Sequence, residues 1–161
     1  MSLEIIKGDL LNFPEQINTI AHSCNTQNVF GAGIAKSIKD KYPEAYIADS
    51  EAHKGQENQL GYFSYCKLNS DSNKRIINLY TQSSTGDGRR VNYEAFYKSI
   101  DFLNRAINSA STIHNYVLGF PFGISCGLAG GSWNIILSML EDVFEHAKYK
   151  TYIVQKEDIY A

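Results

Sequence analysis

The sequence predicts a layered α/β protein built on a mixed sheet. Three observations carry this. Six short runs rich in β-branched and aromatic residues alternate with longer amphipathic segments. From residue 75 onward the order is strand, helix, strand, helix, strand, which is the pattern of parallel crossovers. The runs at 61–68 and 75–82 are separated only by the polar tip NSDSNK, which reads as a hairpin and so adds an antiparallel member.

The elements follow in order. Strands are expected at LEIIKG (3–8), TIAHS (19–23), GYFSYCKL (61–68), RIINLYTQ (75–82), YVLGFPF (116–122) and KTYIVQ (150–155). A helix is expected from about Ala32, because Ile34, Ile38 and Tyr42 recur at four-residue spacing, and the Tyr-Pro at 42–43 interrupts it. A second helix is expected from about Glu44 to Ala52. In 92–110, Phe96, Ile100, Leu103 and Ile107 make one face and Asn92 suits an N-cap. In 132–147, Ser132 suits the cap, and Ile136, Leu140, Val143 and Ala147 share a face. SSTGDGRR (83–90) is the most polar stretch and is expected to be a mobile loop.

With 161 residues the chain matches one domain spanning 1–161, and 43% hydrophobic residues are enough to bury a core. Fifteen basic residues against seventeen acidic ones leave a net charge of −2, so no basic excess points to long nucleic acid. The cysteines Cys24, Cys66 and Cys126 are odd in number and widely spaced, which argues against a disulfide framework and a zinc site. The four histidines are scattered, so no metal is expected. The N-terminus has no long apolar run and nothing reaches membrane length. The expectation is a cytoplasmic, monomeric protein with no membrane partner and no cofactor.

Two glycine-rich loops lie at strand ends, where ligands sit in open α/β sheets. The first, CNTQNVFGAGIAKS (24–37), almost spells two phosphate loops. Ala35 stands where a Walker loop needs glycine before Lys36, and Lys36 stands at the third glycine of a dinucleotide fingerprint. Its free amides and the following helix dipole still suit an anion. The second, GISCGLAGGS (123–132), has glycine or alanine at five of ten positions, so backbone can approach a ligand closely. The alternative for each is a tight turn. The pair suggests a ligand with more than one phosphate.

Individual residues carry paired readings. His22 sits near a strand end and suits a general base or a water holder, or else packs under the loop. Asp9 suits an amino group such as that of adenine, or else caps a turn. Asn25 and Asn28 suit sugar hydroxyls, or else turn chemistry. Arg89 and Arg90 suit a phosphate, or else lie solvated. Cys126 lacks the arginine six positions on that a cysteine phosphatase needs, since Ser132 is there, so it reads as a packing residue.

Together, KGDLL (7–11), AHSCNTQNVFGAGIAKSIKDKYP (21–43), INLYTQ (77–82), NYEAF (92–96) and GFPFGISCGLAGGSW (119–133) resemble the macrodomain family, the ADP-ribose-binding fold. The match covers nearly the whole chain and is most similar to the short branch that includes ADP-ribose 1''-phosphate phosphatases and the terminal ADP-ribose protein glycohydrolase. The resemblance implies a three-layer fold, a mixed six-stranded sheet with helices on both faces. It implies adenine at Gly8, Asp9 and Leu10, and the distal ribose near Ser23, Asn25 and Asn28. Phosphates would meet Phe30, Gly31, Ala32, Gly33, Ile34 and Ala35 in the first loop. In the second they would meet Gly123, Ile124, Ser125, Cys126, Gly127, Leu128 and Ala129. His22 and Asn25 are the implied catalytic residues. The glycohydrolase lysine and aspartate are replaced here by Gln82 and Ala129, which cannot act as nucleophile and acid/base. The expected activity is therefore hydrolysis of ADP-ribose 1''-phosphate. A non-catalytic ADP-ribose-binding module and a de-ADP-ribosylating hydrolase are the alternatives.

Overall fold

A computed structural model of the chain describes residues 3–53, 59–83 and 89–156. The chain forms β1 (Leu3–Lys7), β2 (Thr19–Asn25), α1 (Gly33–Lys41), α2 (Pro43–His53), β3 (Phe63–Lys67), β4 (Arg75–Gln82), α3 (Tyr93–Asn108), β5 (Val117–Pro121), α4 (Trp133–Phe144) and β6 (Lys150–Gln155). Every expected strand and helix is present. Of the polar loop at 83–90, residues 84–88 lie outside the described residues.

The strands form one sheet in the order β1-β6-β5-β2-β4-β3. All neighbours are parallel except β3, which pairs antiparallel with β4 as the hairpin reading required. The sheet is thus mixed, and helices cover both faces.

Strand side chains alternate between faces, and each face has its own core. On one side Ala21, Ile77, Leu118 and Phe120 pack with Phe96, Ile100, Leu103 and Ile107 of α3 and with Ile136, Leu140 and Phe144 of α4. On the other, Ile20, Ile76 and Val154 pack with Ile38 of α1 and Ala45 of α2. β2 therefore sends Ile20 one way and Ala21 the other, and that alternation continues into the site.

Two helix readings are corrected. The α4 face runs Ile136, Leu140, Phe144 at four-residue steps, and the helix ends at Phe144. Val143 and Ala147 are partly buried and pack against the same core as Ile136 and Leu140, as that face required, but Ala147 lies beyond the helix end and Phe144 is the fully buried residue there. Asn92 caps α3 as expected, its side chain accepting from the Ala95 amide at 3.0 Å. Ser132 holds the N-cap position of α4 but makes no side-chain cap bond; its amide donates instead to the Tyr93 hydroxyl at 2.9 Å.

Candidate functional site

A cleft of about 570 Å³ opens at the carboxyl ends of β2, β4 and β5. Its walls are the two glycine-rich loops. Gly31, Ala32, Gly33, Ile34 and Ala35 line one side, and Gly123, Ile124, Ser125, Gly127, Leu128 and Ala129 the other. Ser23, Asn25 and Gln82 border it from the strand ends. Among the described residues, no charged side chain lines the cleft.

What it offers instead is backbone. The first turn of a helix leaves amides without intrahelical acceptors, and α1 begins at the cleft. Among the described residues, the amides of 31–35 meet no acceptor in the protein. In the second loop the amides of Ile124, Cys126, Gly130 and Gly131 are bonded to loop carbonyls at 2.8–3.1 Å. Those of Ser125, Gly127, Leu128 and Ala129 are not. Two rows of free amides facing a concave space make an anion cradle.

The loops are joined at the floor. Ser23 Oγ and Ser125 Oγ lie 2.5 Å apart, linking the ends of β2 and β5. Ser125 has φ of 64°, the left-handed region where serine is uncommon, so this turn is strained. Cys126 donates from Sγ to the Ile124 carbonyl at 3.3 Å and does not line the cleft, while burial pushes its thiol up. It is a packing residue whose place in the loop is structural.

His22 is not in the cleft. β2 alternation sends it with Ile20 toward the α1–α2 layer, while Ser23 turns to the opposite side. The ring is fully buried and stands edge-on to Phe30 at 5.4 Å. Its Nε2 meets Asn78 Oδ1 at 2.6 Å. The Asn78 amide nitrogen donates to the Ala45 carbonyl at 3.0 Å and to Ser64 Oγ at 3.1 Å, which fixes Oδ1 as the acceptor. Nε2 therefore carries the proton. The Cys24 sulfur lies 3.5 Å from Nε2 and 3.7 Å from Nδ1, close to both ring nitrogens. Burial lowers the His22 pKa to about 4, partly opposed by the Asn78 bond. An imidazole buried this fully presents no ring nitrogen to the cleft. The expectation that His22 activates or places the attacking water is not met by this geometry, in which the ring packs behind Phe30 of the first loop. Burial, then the Asp49 charge, raises the Cys24 thiol pKa well above its ordinary value.

Other expectations divide. Asn25 borders the cleft, but its side chain closes its own loop, donating to the Val29 carbonyl at 2.8 Å and accepting from the Gln27 amide at 2.9 Å. Asn28 faces α2, its Oδ1 accepting from Ser50 Oγ at 3.1 Å, and does not line the cleft. Phe30 is a core residue between His22 and Tyr46 and likewise lies behind the wall. Leu10 is buried in the α1–α2-side core. Asp9 is exposed and caps a 3-10 turn, accepting from the Leu11 amide at 3.2 Å and from Asn12 Nδ2 at 2.8 Å. Gly8 and Asp9 flank the cleft from beyond β5, since Gly8 N donates to the Gln155 carbonyl and Phe122 N to the Val154 carbonyl, each at 3.0 Å. Lys36 pairs with Asp40 at 3.0 Å on the exposed side of α1.

Four lining residues were not singled out from sequence: Cys24, Val29, Pro121 and Phe122. Phe122 was legible in principle, as an aromatic at a strand end beside a glycine. It packs on Trp133 with ring centroids 4.6 Å apart.

No protein-family model matches the chain. The macrodomain of Mycobacterium tuberculosis DarG superposes with a TM-score of 0.79, at 22% identity, over 97% of this chain and 98% of that one. The chain folds as a macrodomain. Thermosipho africanus DarTG in complex with ADP-ribose gives a TM-score of 0.78 at 18% identity, covering 94% of this chain and 40% of that chain. Among sequence relatives, an uncharacterized 17.5 kDa protein of the tk-vs intergenic region of enterobacteria phage T4 is 28% identical over 143 residues, 88% of this chain and 89% of that protein. An ADP-ribose 1''-phosphate phosphatase of Neosartorya fischeri is 51% identical over 41 residues, but these span 26% of this chain and 20% of the phosphatase.

Proposed function

We propose that this macrodomain binds ADP-ribose and hydrolyses ADP-ribose 1''-phosphate to ADP-ribose and inorganic phosphate. The observation that carries the reading is the pair of free-amide rows on either side of an uncharged cleft. That geometry suits a diphosphate held by backbone, with a sugar on each side of it. The names of the partially matching phosphatases support the finer assignment.

In this reading the diphosphate lies between residues 31–35 and 125–129. Asp9, next to the β5 end of the cleft, takes the adenine amino group on a carboxylate that already serves a turn. The distal ribose lies toward Asn25 and Ser23. Water attacks the terminal phosphorus; a P–O bond forms to water as the bond to the sugar oxygen breaks. The sugar oxygen takes a proton and leaves as ADP-ribose. Amides near Ser125 and Gly127 face the phosphoryl oxygens as charge develops there. With no activated nucleophile in the cleft, turnover is slow.

Gly127→Val tests the cleft. A Cβ at this position meets no protein atom within 4 Å, so the variant folds and fills the ligand space. Calorimetry should then show ADP-ribose binding to the wild type and a loss of about tenfold or more in the variant. Equal affinities would remove the cleft from the binding site. Tight ADP-ribose binding by a wild type that releases no phosphate would leave a binding module.

A further inference from the structure

An uncharged cleft leaves a question that backbone amides alone do not answer. A phosphomonoester at the far end of the ligand adds about 1.5 to 2 further negative charges, and nothing lining the cleft neutralises them. The chain has four arginines. Arg75 stacks on Tyr116 at 4.5 Å, Arg89 on Tyr93 at 4.9 Å, and Arg105 pairs with Asp101 at 2.9 Å. Arg90 is different. Its amide donates to the Ala129 carbonyl at 2.7 Å and the Val91 amide to the same oxygen at 3.1 Å. Asn92 N donates to the Thr81 carbonyl at 2.8 Å. The segment is therefore pinned to the last residue of the second loop's lining and to the end of β4. The side chain is half-buried, and its Nε is enclosed with no acceptor among the described residues.

Position along the sheet assigns the end of the ligand that reaches it. Asp9 follows β1, Phe122 follows β5, Asn25 ends β2 and Gln82 ends β4, and in the sheet these strands stand in the order β1-β6-β5-β2-β4. A ligand with adenine at the β1 side runs toward β4, where Ala129, Gln82 and Arg90 meet. We infer that Arg90 is the specificity-determining residue for the terminal phosphate, its guanidinium binding the phosphomonoester that distinguishes ADP-ribose 1''-phosphate from ADP-ribose. This rests on the ligand orientation proposed above. A guanidinium offers a planar fork of donors that fits a phosphate bidentately.

Calorimetric titration with ADP-ribose and with ADP-ribose 1''-phosphate tests it in the wild type, Arg90→Ala, Arg90→Lys and Arg89→Ala. The wild type should prefer the phosphorylated ligand, and Arg90→Ala should lose about tenfold or more of that preference while keeping its ADP-ribose affinity. Arg90→Lys should recover part of the preference, and Arg89→Ala should keep it. A wild type with no preference overturns the inference. So does an equal loss for both ligands in Arg90→Ala, or an equal loss of preference in Arg89→Ala, which would reduce the effect to general charge. A wild type that prefers the phosphorylated ligand without releasing phosphate contradicts the proposed activity and leaves Arg90 judged by the ratio alone.

Discussion

His22 shows how one residue can be right in place and different in role. Its position beside the cleft was visible in the strand-to-loop boundary, but its face was not, because a one-residue parity decides between solvent and core. The consequence is measurable. The folded state holds the imidazole at about 4 against an ordinary 6.5, so the fold binds this proton more weakly than the unfolded chain does. Stability is therefore complete above pH 6.5 and is lost on acidification toward pH 4, by about 3 kcal/mol from this group. Urea unfolding at stepped pH should show that slope in the wild type and its flattening in His22→Gln. Asn78 is the partner that orients the ring. Asn78→Ala leaves the His22 N–H and the Ala45 carbonyl buried without it, and should cost roughly 2–4 kcal/mol in the same assay. Asn25, Asn28 and Asp9 carry the same lesson from the other side. Each spends its side chain on local backbone or a neighbouring helix, which is what Asn and Asp do at turns.

Helix boundaries were legible to within a residue or two because periodicity and caps agree. The exceptions are physical. Ser132 has the right chemistry for a cap, but Tyr93 takes its amide and its hydroxyl caps nothing. Asn92→Ala should therefore cost about 1 kcal/mol and Ser132→Ala less than about 0.5 kcal/mol, read as shifts in urea midpoint. Phe144 joins Val143 and Ala147 against the core because α4 keeps four-residue steps from Ile136 up to its end. The second loop depends on close backbone approach. A Cβ on Gly131 would stand 2.7 Å from the Ser125 carbonyl oxygen and 3.0 Å from Val91 Cγ1. Gly131→Ala must displace the strained Ser125 turn, and should weaken ADP-ribose binding about tenfold or more without touching ligand. An unchanged calorimetric affinity would show that the loop's backbone position is not what binds.

At the scale of the molecule, the strand count, the hairpin and the crossovers were all readable from short apolar runs and their order. What could not be read was which sides of the two loops face each other. That follows from β2 lying between β5 and β4, a pairing between segments about a hundred residues apart. The bond between Ser23 and Ser125 is the local sign of that pairing, and nothing in either segment alone announces it. The same topology makes a cleft lined, among the described residues, by unbonded amides and no charged side chain, so no charged motif marks it in sequence. The proposed hydrolysis at the terminal phosphate is open to a single experiment, incubation with ADP-ribose 1''-phosphate in oxygen-18 water. Inorganic phosphate should appear above the protein-free rate and carry one labelled oxygen from water; release at the protein-free rate, or phosphate without label, would rule the proposed reaction out.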